Sequence, residues 1–155
     1  IVLAVGQIAG TGSLLQPLCE LVDGKTNSMV QGRVPTLNFT KILPDALAPL
    51  LQQAKLDKQP VMLDFYADWC ISCKELDSFV FTDDRVKLAL ADFKVVKVDV
   101  TVNSLAAQQL MQGMRLVGPP ALVFYDAQGQ LYSETVVGVP AIDDLVNLLK
   151  KVNTL

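Results

Sequence analysis

The sequence predicts an α/β domain, a central mixed β-sheet flanked by helices on both faces, with an N-terminal extension. Three observations predict it. Apolar periodicity switches between strand-like and helical runs in the order β-α-β-α-β-β-α. The last two strands meet across a glycine turn, Ala127-Gln128-Gly129-Gln130. The second strand, Val61 to Ala67, is an almost unbroken apolar run of the kind buried on both faces.

Thr36 to Ile42 reads as a short strand. Pro44 to Lys55 follows with apolar residues at 47, 50, 51 and 54, a helical period. Pro49 favours a start nearer Ala46, because proline is tolerated only in the first turn. Val61 to Ala67 is the buried strand, interrupted by Asp64. A helix leaves Cys70, with a kink or restart at Thr82, a suitable cap for Asp83 to Leu90. Phe93 to Val100 alternates as a strand, Asn103 can cap a helix reaching about Met111, and Gly113 closes it. Ala121 to Asp126 and Leu131 to Val137 form the hairpin. Apolar residues at 142, 145, 146, 148, 149 and 152 mark the last helix.

The 155 residues suffice for one core and a short appendage. Residues 1-22 form an apolar leader whose first nineteen positions, Ile1 to Cys19, carry no charge and approach the length of a membrane span. Two readings stand: the trailing end of a transmembrane segment of a longer parent protein, or a flexible apolar leader. Residues 23-35 turn polar and glycine-bearing, as linkers do, which leaves 36-155 for the domain.

Hydrophobic residues make up 51% of the chain and charged residues 19%, an ordinary globular balance. A net charge of -3 gives no basic footprint for nucleic acid. The chain has no histidine, which excludes a Cys/His zinc site, a Ser-His-Asp triad and a Cys-His dyad together. Of three cysteines, two form Cys70-Ile71-Ser72-Cys73, and no second C-x-x-C completes a four-cysteine metal site. Cys19 stands alone, either as a small apolar residue or as a free thiol with no flanking cation to activate it.

The context of the C-x-x-C points to dithiol/disulfide exchange. Cys70 follows a buried strand and opens a helix, where unpaired N–H groups and the helix dipole favour a thiolate. Cys73, one turn further in, is expected to be more buried. Cys70 then attacks a partner disulfide and Cys73 resolves the mixed disulfide. Asp64 is costly to bury, so it is either a solvated edge carboxylate or the group that takes and returns the Cys73 proton. Asp77 lies four residues after Cys73, on the same helical face, as a source of negative charge near the thiols or as an exposed helix residue. Trp69 either shields the site and offers a contact surface or packs in the core. In Gly118-Pro119-Pro120, a cis bond at Pro120 would expose the preceding carbonyl as a peptide-docking edge.

The run Asp64-Phe65-Tyr66-Ala67-Asp68-Trp69-Cys70-Ile71-Ser72-Cys73-Lys74 resembles the thioredoxin active-site strand and helix, with Gly118-Pro119-Pro120 as the cis-proline loop. The similarity runs from about Thr36 to the C-terminus. More narrowly, Val61-Met62-Leu63-Asp64, Cys73-Lys74-Glu75, Phe81-Thr82-Asp83, Asp99-Val100-Thr101 and Leu37-Asn38-Phe39-Thr40 look like the C-terminal domain of the DsbD family. These are inner-membrane thiol:disulfide interchange proteins of Gram-negative bacteria.

That resemblance implies a thioredoxin fold, a protein-disulfide reductase activity, and no cofactor beyond the redox-active Cys70–Cys73 disulfide. It implies a monomeric periplasmic domain with two partners in its parent protein. A transmembrane domain supplies electrons, and an N-terminal periplasmic domain takes them on towards disulfide isomerisation and cytochrome c maturation. Asp64 matches the buried acid of the family, Pro120 matches the cis-proline, and Asp77 falls where the family usually carries Glu. Pro119 removes a backbone N–H from the docking edge and keeps its carbonyl. The rival readings are a stand-alone periplasmic reductase and a redox-inert thioredoxin-fold binding module. Metal binding by the C-x-x-C would need two ligands that the sequence does not offer.

Overall fold

A computed structural model describes residues 34–155, and Val34–Leu155 form one compact unit. The leader 1-22, Cys19 and the linker up to residue 33 lie outside the described residues. The elements are β1 (Thr40–Ile42), a 3-10 turn (Pro44–Ala46), α1 (Leu47–Leu56), β2 (Val61–Tyr66), α2 (Ile71–Glu75) continuing into a π turn (Leu76–Val80), α3 (Asp84–Ala89), β3 (Lys94–Asp99), α4 (Leu105–Gly113), β4 (Ala121–Tyr125), β5 (Val136–Val137) and α5 (Ile142–Asn153).

The sheet order is β1-β3-β2-β4-β5. β3 pairs in parallel with β1 and β2, while β4 runs antiparallel to both β2 and β5, so the sheet is mixed as the sequence predicts. Central strand β2 is buried along its first five residues, which explains its continuous apolar run. One face packs Leu63, Phe65, Val96, Val98 and Val123 against Leu47 and Ala54 of α1 and Ala107 of α4. The other packs Met62, Val95, Leu122 and Phe124 against the π turn, Val86 of α3, and Leu145 and Leu149 of α5. The C-x-x-C helix straddles the two layers: Cys73 joins the first and Leu76 the second.

Several local expectations shift. Pro49 lies in the first turn of α1, as its chemistry requires, because the residues before it form the 3-10 turn. Thr82 closes one helix instead of opening the next: its hydroxyl donates to the Ser78 carbonyl at 2.7 Å. Asp83 is the cap of α3, accepting from Arg85 N at 2.9 Å, and a carboxylate serves that position well. Ser104, one residue past Asn103, caps α4 by accepting from Ala107 N at 3.1 Å. The second hairpin strand shrinks to β5 and a lone bridge between Tyr125 and Leu131. The turn holds because Asp126 Oδ1 accepts from Gln128 N and Gln130 N. Gly129 is required there: φ is 75°, and a Cβ would stand 2.9 Å from the Lys55 side chain.

Candidate active site

Strand β2 ends at Tyr66, and Ala67-Asp68-Trp69 turns the chain so that Cys70 N donates to the Ala67 carbonyl at 3.0 Å. Cys70 is the extended N-cap of α2, and its Sγ accepts from Cys73 N at 3.1 Å. The two sulfurs form a disulfide with Cα atoms 5.3 Å apart. Cys70 is 6% exposed and Cys73 is 1% exposed, so Cys70 is the more accessible of the two. Cys73 Sγ stands 4.0 Å from the carbonyl oxygen of Phe65, the neighbour of Asp64. A helix-terminal N–H aimed at Cys70 Sγ is the local feature that favours a thiolate once the bond is opened.

Trp69 is 62% exposed, so it is a surface group and not a core residue. Its indole Nε1 donates to the Thr101 carbonyl at 3.2 Å, while Asp68 N donates to Thr101 Oγ1 at 2.9 Å. Thr101 in turn donates its N–H to Asp99 Oδ1 at 2.9 Å, and Asp99 pairs with Lys41 at 2.9 Å. The loop after β3 therefore fixes the indole beside Cys70 in sequence. On the other side of β2, Ala121 pairs with Phe65. That register sets Gly118-Pro119-Pro120 at the sheet end where β2 delivers Cys70. The Pro119–Pro120 bond is cis, and Pro120 is buried with its carbonyl accepting from Gly138 N at 3.0 Å.

Asp64 is 1% exposed and is the buried charged residue of the described core, not an edge carboxylate. Its Oδ2 lies 3.6 Å from Lys97 Nζ, an ion pair too long for a hydrogen bond, and Oδ1 has no hydrogen-bond partner among the described residues. Burial, partly offset by the Lys97 charge and reinforced by Asp77, pushes its carboxyl up to about 7. Lys97 sits opposite Asp64 in the parallel register of β2 and β3. Its ammonium donates to both oxygens of Asp77, at 2.6 and 2.7 Å, and lies 4.9 and 4.7 Å from the ring centres of Phe39 and Tyr66. Asp64 and Asp77 are thus brought together through a shared cation.

Lys97 is the residue that sequence reasoning missed. On its own it reads as the polar alternation of a strand. The signal was there: an acid in one predicted apolar strand and a base in the next suggest a cross-strand pair. Using it requires knowing that β2 and β3 are neighbours, and in which register. Among the described residues, no group of three or more His, Cys, Asp or Glu could hold a metal ion.

Residues 47–153 match the family model for a thioredoxin-like domain. The chain is 36% identical over 147 residues, 95% of its length, to the thiol:disulfide interchange protein DsbD of Ralstonia nicotianae. It is 39% identical over 127 residues, 81% of its length, to that of Vibrio vulnificus. It spans only 24% and 21% of those two relatives. The oxidised C-terminal domain of DsbD from Neisseria meningitidis superposes with a TM-score of 0.65 at 30% identity, covering 75% of this chain and all of that one. A thioredoxin from Thermus thermophilus gives 0.58 at 26% identity, covering 75% and 88%. A Cys70–Cys73 disulfide at the mouth of α2, on a mixed sheet of this order, places the chain in the thioredoxin-like family, as a thiol:disulfide interchange domain of the DsbD C-terminal kind.

Proposed function

We propose that this domain is the protein-disulfide reductase stage of an inner-membrane relay. It accepts two electrons from a membrane-embedded domain of its parent protein and passes them to that protein's N-terminal periplasmic domain. The observation that carries the reading is the Cys70–Cys73 disulfide, with the Cys73 N–H on Cys70 Sγ and the Cys70 side the more accessible. Cys70 is the nucleophile, Cys73 the resolving thiol, and Asp64 the group that takes and returns the Cys73 proton. Asp77 tunes proton affinity at the site, and Trp69, Pro119 and Pro120 border the docking edge. The match to a small part of much longer interchange proteins supports a periplasmic domain on an inner-membrane parent. Delivery of electrons to disulfide isomerisation and cytochrome c maturation extends the same reading.

The test is direct trapping. Cys70→Ser is expected to abolish exchange with the N-terminal domain. Cys73→Ser is expected to accumulate a mixed disulfide through Cys70, visible on non-reducing gels and by intact mass. Failure of Cys73→Ser to capture that domain from its oxidised form would overturn the assignment of partner.

A further inference from the structure

Two carboxylates compete for one ammonium at this site, and the competition is unequal. Asp77 holds Lys97 Nζ with both oxygens, at 2.6 and 2.7 Å, whereas Asp64 meets it with one oxygen at 3.6 Å. The rings of Phe39 and Tyr66 flank the same ammonium at 4.9 and 4.7 Å, which keeps it between the two acids. Asp77 stands on the π turn that interrupts the helix after Cys73, and such turns recur at functional sites. We propose that Lys97 is a positioning residue for disulfide exchange, and that Asp77 governs Asp64 by drawing Lys97 away from it.

The proposal rests on Asp64 being the proton acceptor for Cys73. In the resolving step the Cys73 thiol gives its proton to the Asp64 carboxylate, and the Cys73 thiolate attacks Cys70 Sγ of the mixed disulfide. The bond from Cys70 to the partner sulfur breaks as the Cys70–Cys73 bond forms. The departing partner thiolate takes a proton from solvent. Over the whole exchange the dithiol is oxidised by two electrons and the partner disulfide is reduced by two. An Asp64 carboxylate fully paired with Lys97 would be a weak base. With the ammonium held on Asp77, burial keeps the carboxyl near 7, where a base for a thiol is useful.

Among the described residues, few charged or titratable groups face Asp64. Lys97 comes from β3, Asp77 from the π turn, and Tyr66 lies two residues along β2. Strand β4 sets the apolar Leu122 opposite, and Lys41 of β1 is engaged by Asp99. Among the described residues, Lys97 is therefore the cation that Asp77 and Asp64 share.

The experiment is a double-mutant cycle on the intact domain, read by the carbon-13 carboxyl titration of Asp64 and by the pH profile of exchange. Asp77→Asn should free Lys97 for Asp64, lowering the Asp64 midpoint by about one pH unit and moving the acid limb of the rate profile the same way. In a Lys97→Met background the same Asp77→Asn change should move the midpoint by roughly a third of that or less, with Lys97→Gln as a second background should Met disturb folding. Equal shifts with and without Lys97 would overturn the proposal, because Asp77 would then act on Asp64 directly. Asp64→Asn separates the two levels. If it leaves the rate profile unmoved, the proton role of Asp64 fails and the proposal falls with it. If it moves the profile while the cycle shows no coupling, the proposal alone fails.

Discussion

The domain contains two clusters of the same make-up, one cation between two aspartates, in opposite surroundings. Arg85 joins the start of α3 to the start of α5, donating to Asp143 at 2.6 Å and to its own helix cap, Asp83, at 3.2 Å. Lys97 joins β3 to the π turn and to β2 through Asp77 and Asp64. The Arg85 side chain is 57% exposed and the Lys97 side chain 13%. The aspartates respond in opposite directions. Hydrogen bonds from Arg85 hold the Asp83 carboxyl below the usual carboxylate range, while burial pushes Asp64 to about 7 despite its lysine. A neighbouring cation decides the proton affinity of a carboxylate in water; inside the fold, desolvation outweighs it.

The largest expected effect tests that contrast at Asp64. Its carboxyl has a folded value of about 7 against an ordinary 3.8, so between these pH values the folded chain holds a proton that the unfolded chain has lost. Stability must then fall as pH rises from about 4 to about 7 and level off above. The fall attributable to this group is on the order of 3–4 kcal/mol. Asp64→Asn should remove it. Urea unfolding of the oxidised domain at a series of pH values gives the difference curve, and parallel curves for the two proteins would place Asp64 with Asp83, among the groups that water controls.

Removing the part-buried cation comes next. Lys97→Met leaves Asp77 half-exposed and able to be solvated, but it strips the ionised form of Asp64 of its countercharge. The loss should therefore grow with pH: little near pH 5, where Asp64 is protonated, and about 1 kcal/mol near pH 8, where keeping Asp64 protonated limits the penalty. The same denaturation series reads it. A loss independent of pH would mean that Lys97 matters for its packing against Phe39 and Tyr66 and not for its charge.

These two clusters also mark what a sequence can carry. The dithiol, the deeper burial of its second cysteine and the acid beneath it were legible because the chemistry is local: strand, turn and C-x-x-C lie within fourteen residues, Val61 to Lys74. The order of the elements was legible from periodicity. Helix starts were less so, because Thr82 and Asp83, or Asn103 and Ser104, are adjacent residues that both make good caps, and side-chain reach decides between them. The second hairpin strand was overextended because Ser133, Glu134 and Thr135 interrupt its alternation, and β5 keeps only the two valines after them. Lys97 was out of reach for a different reason. Its meaning lies in the register Asp64↔Lys97 between strands thirty-three positions apart, and in Asp77 arriving from a third element.

The smallest expected effect belongs to the exposed cluster. Arg85→Ala removes the side-chain bonds to Asp83 and Asp143 yet keeps the backbone N–H that donates to Asp83 Oδ1 at 2.9 Å, so the cap of α3 survives. The contact between α3 and α5 rests on Val86, Leu145 and Leu149, all fully buried. Ion pairs open to water contribute little and weaken further with salt. The urea midpoint of Arg85→Ala should match the parent within error at physiological ionic strength, and the match should hold from pH 5 to pH 8. Asp83→Ala, which does remove the cap, should lower it measurably. A loss from Arg85→Ala as large as that from Lys97→Met at pH 8 would show that burial is not what separates the clusters; the number of bonds to the cation would then be the controlling quantity, since each makes several.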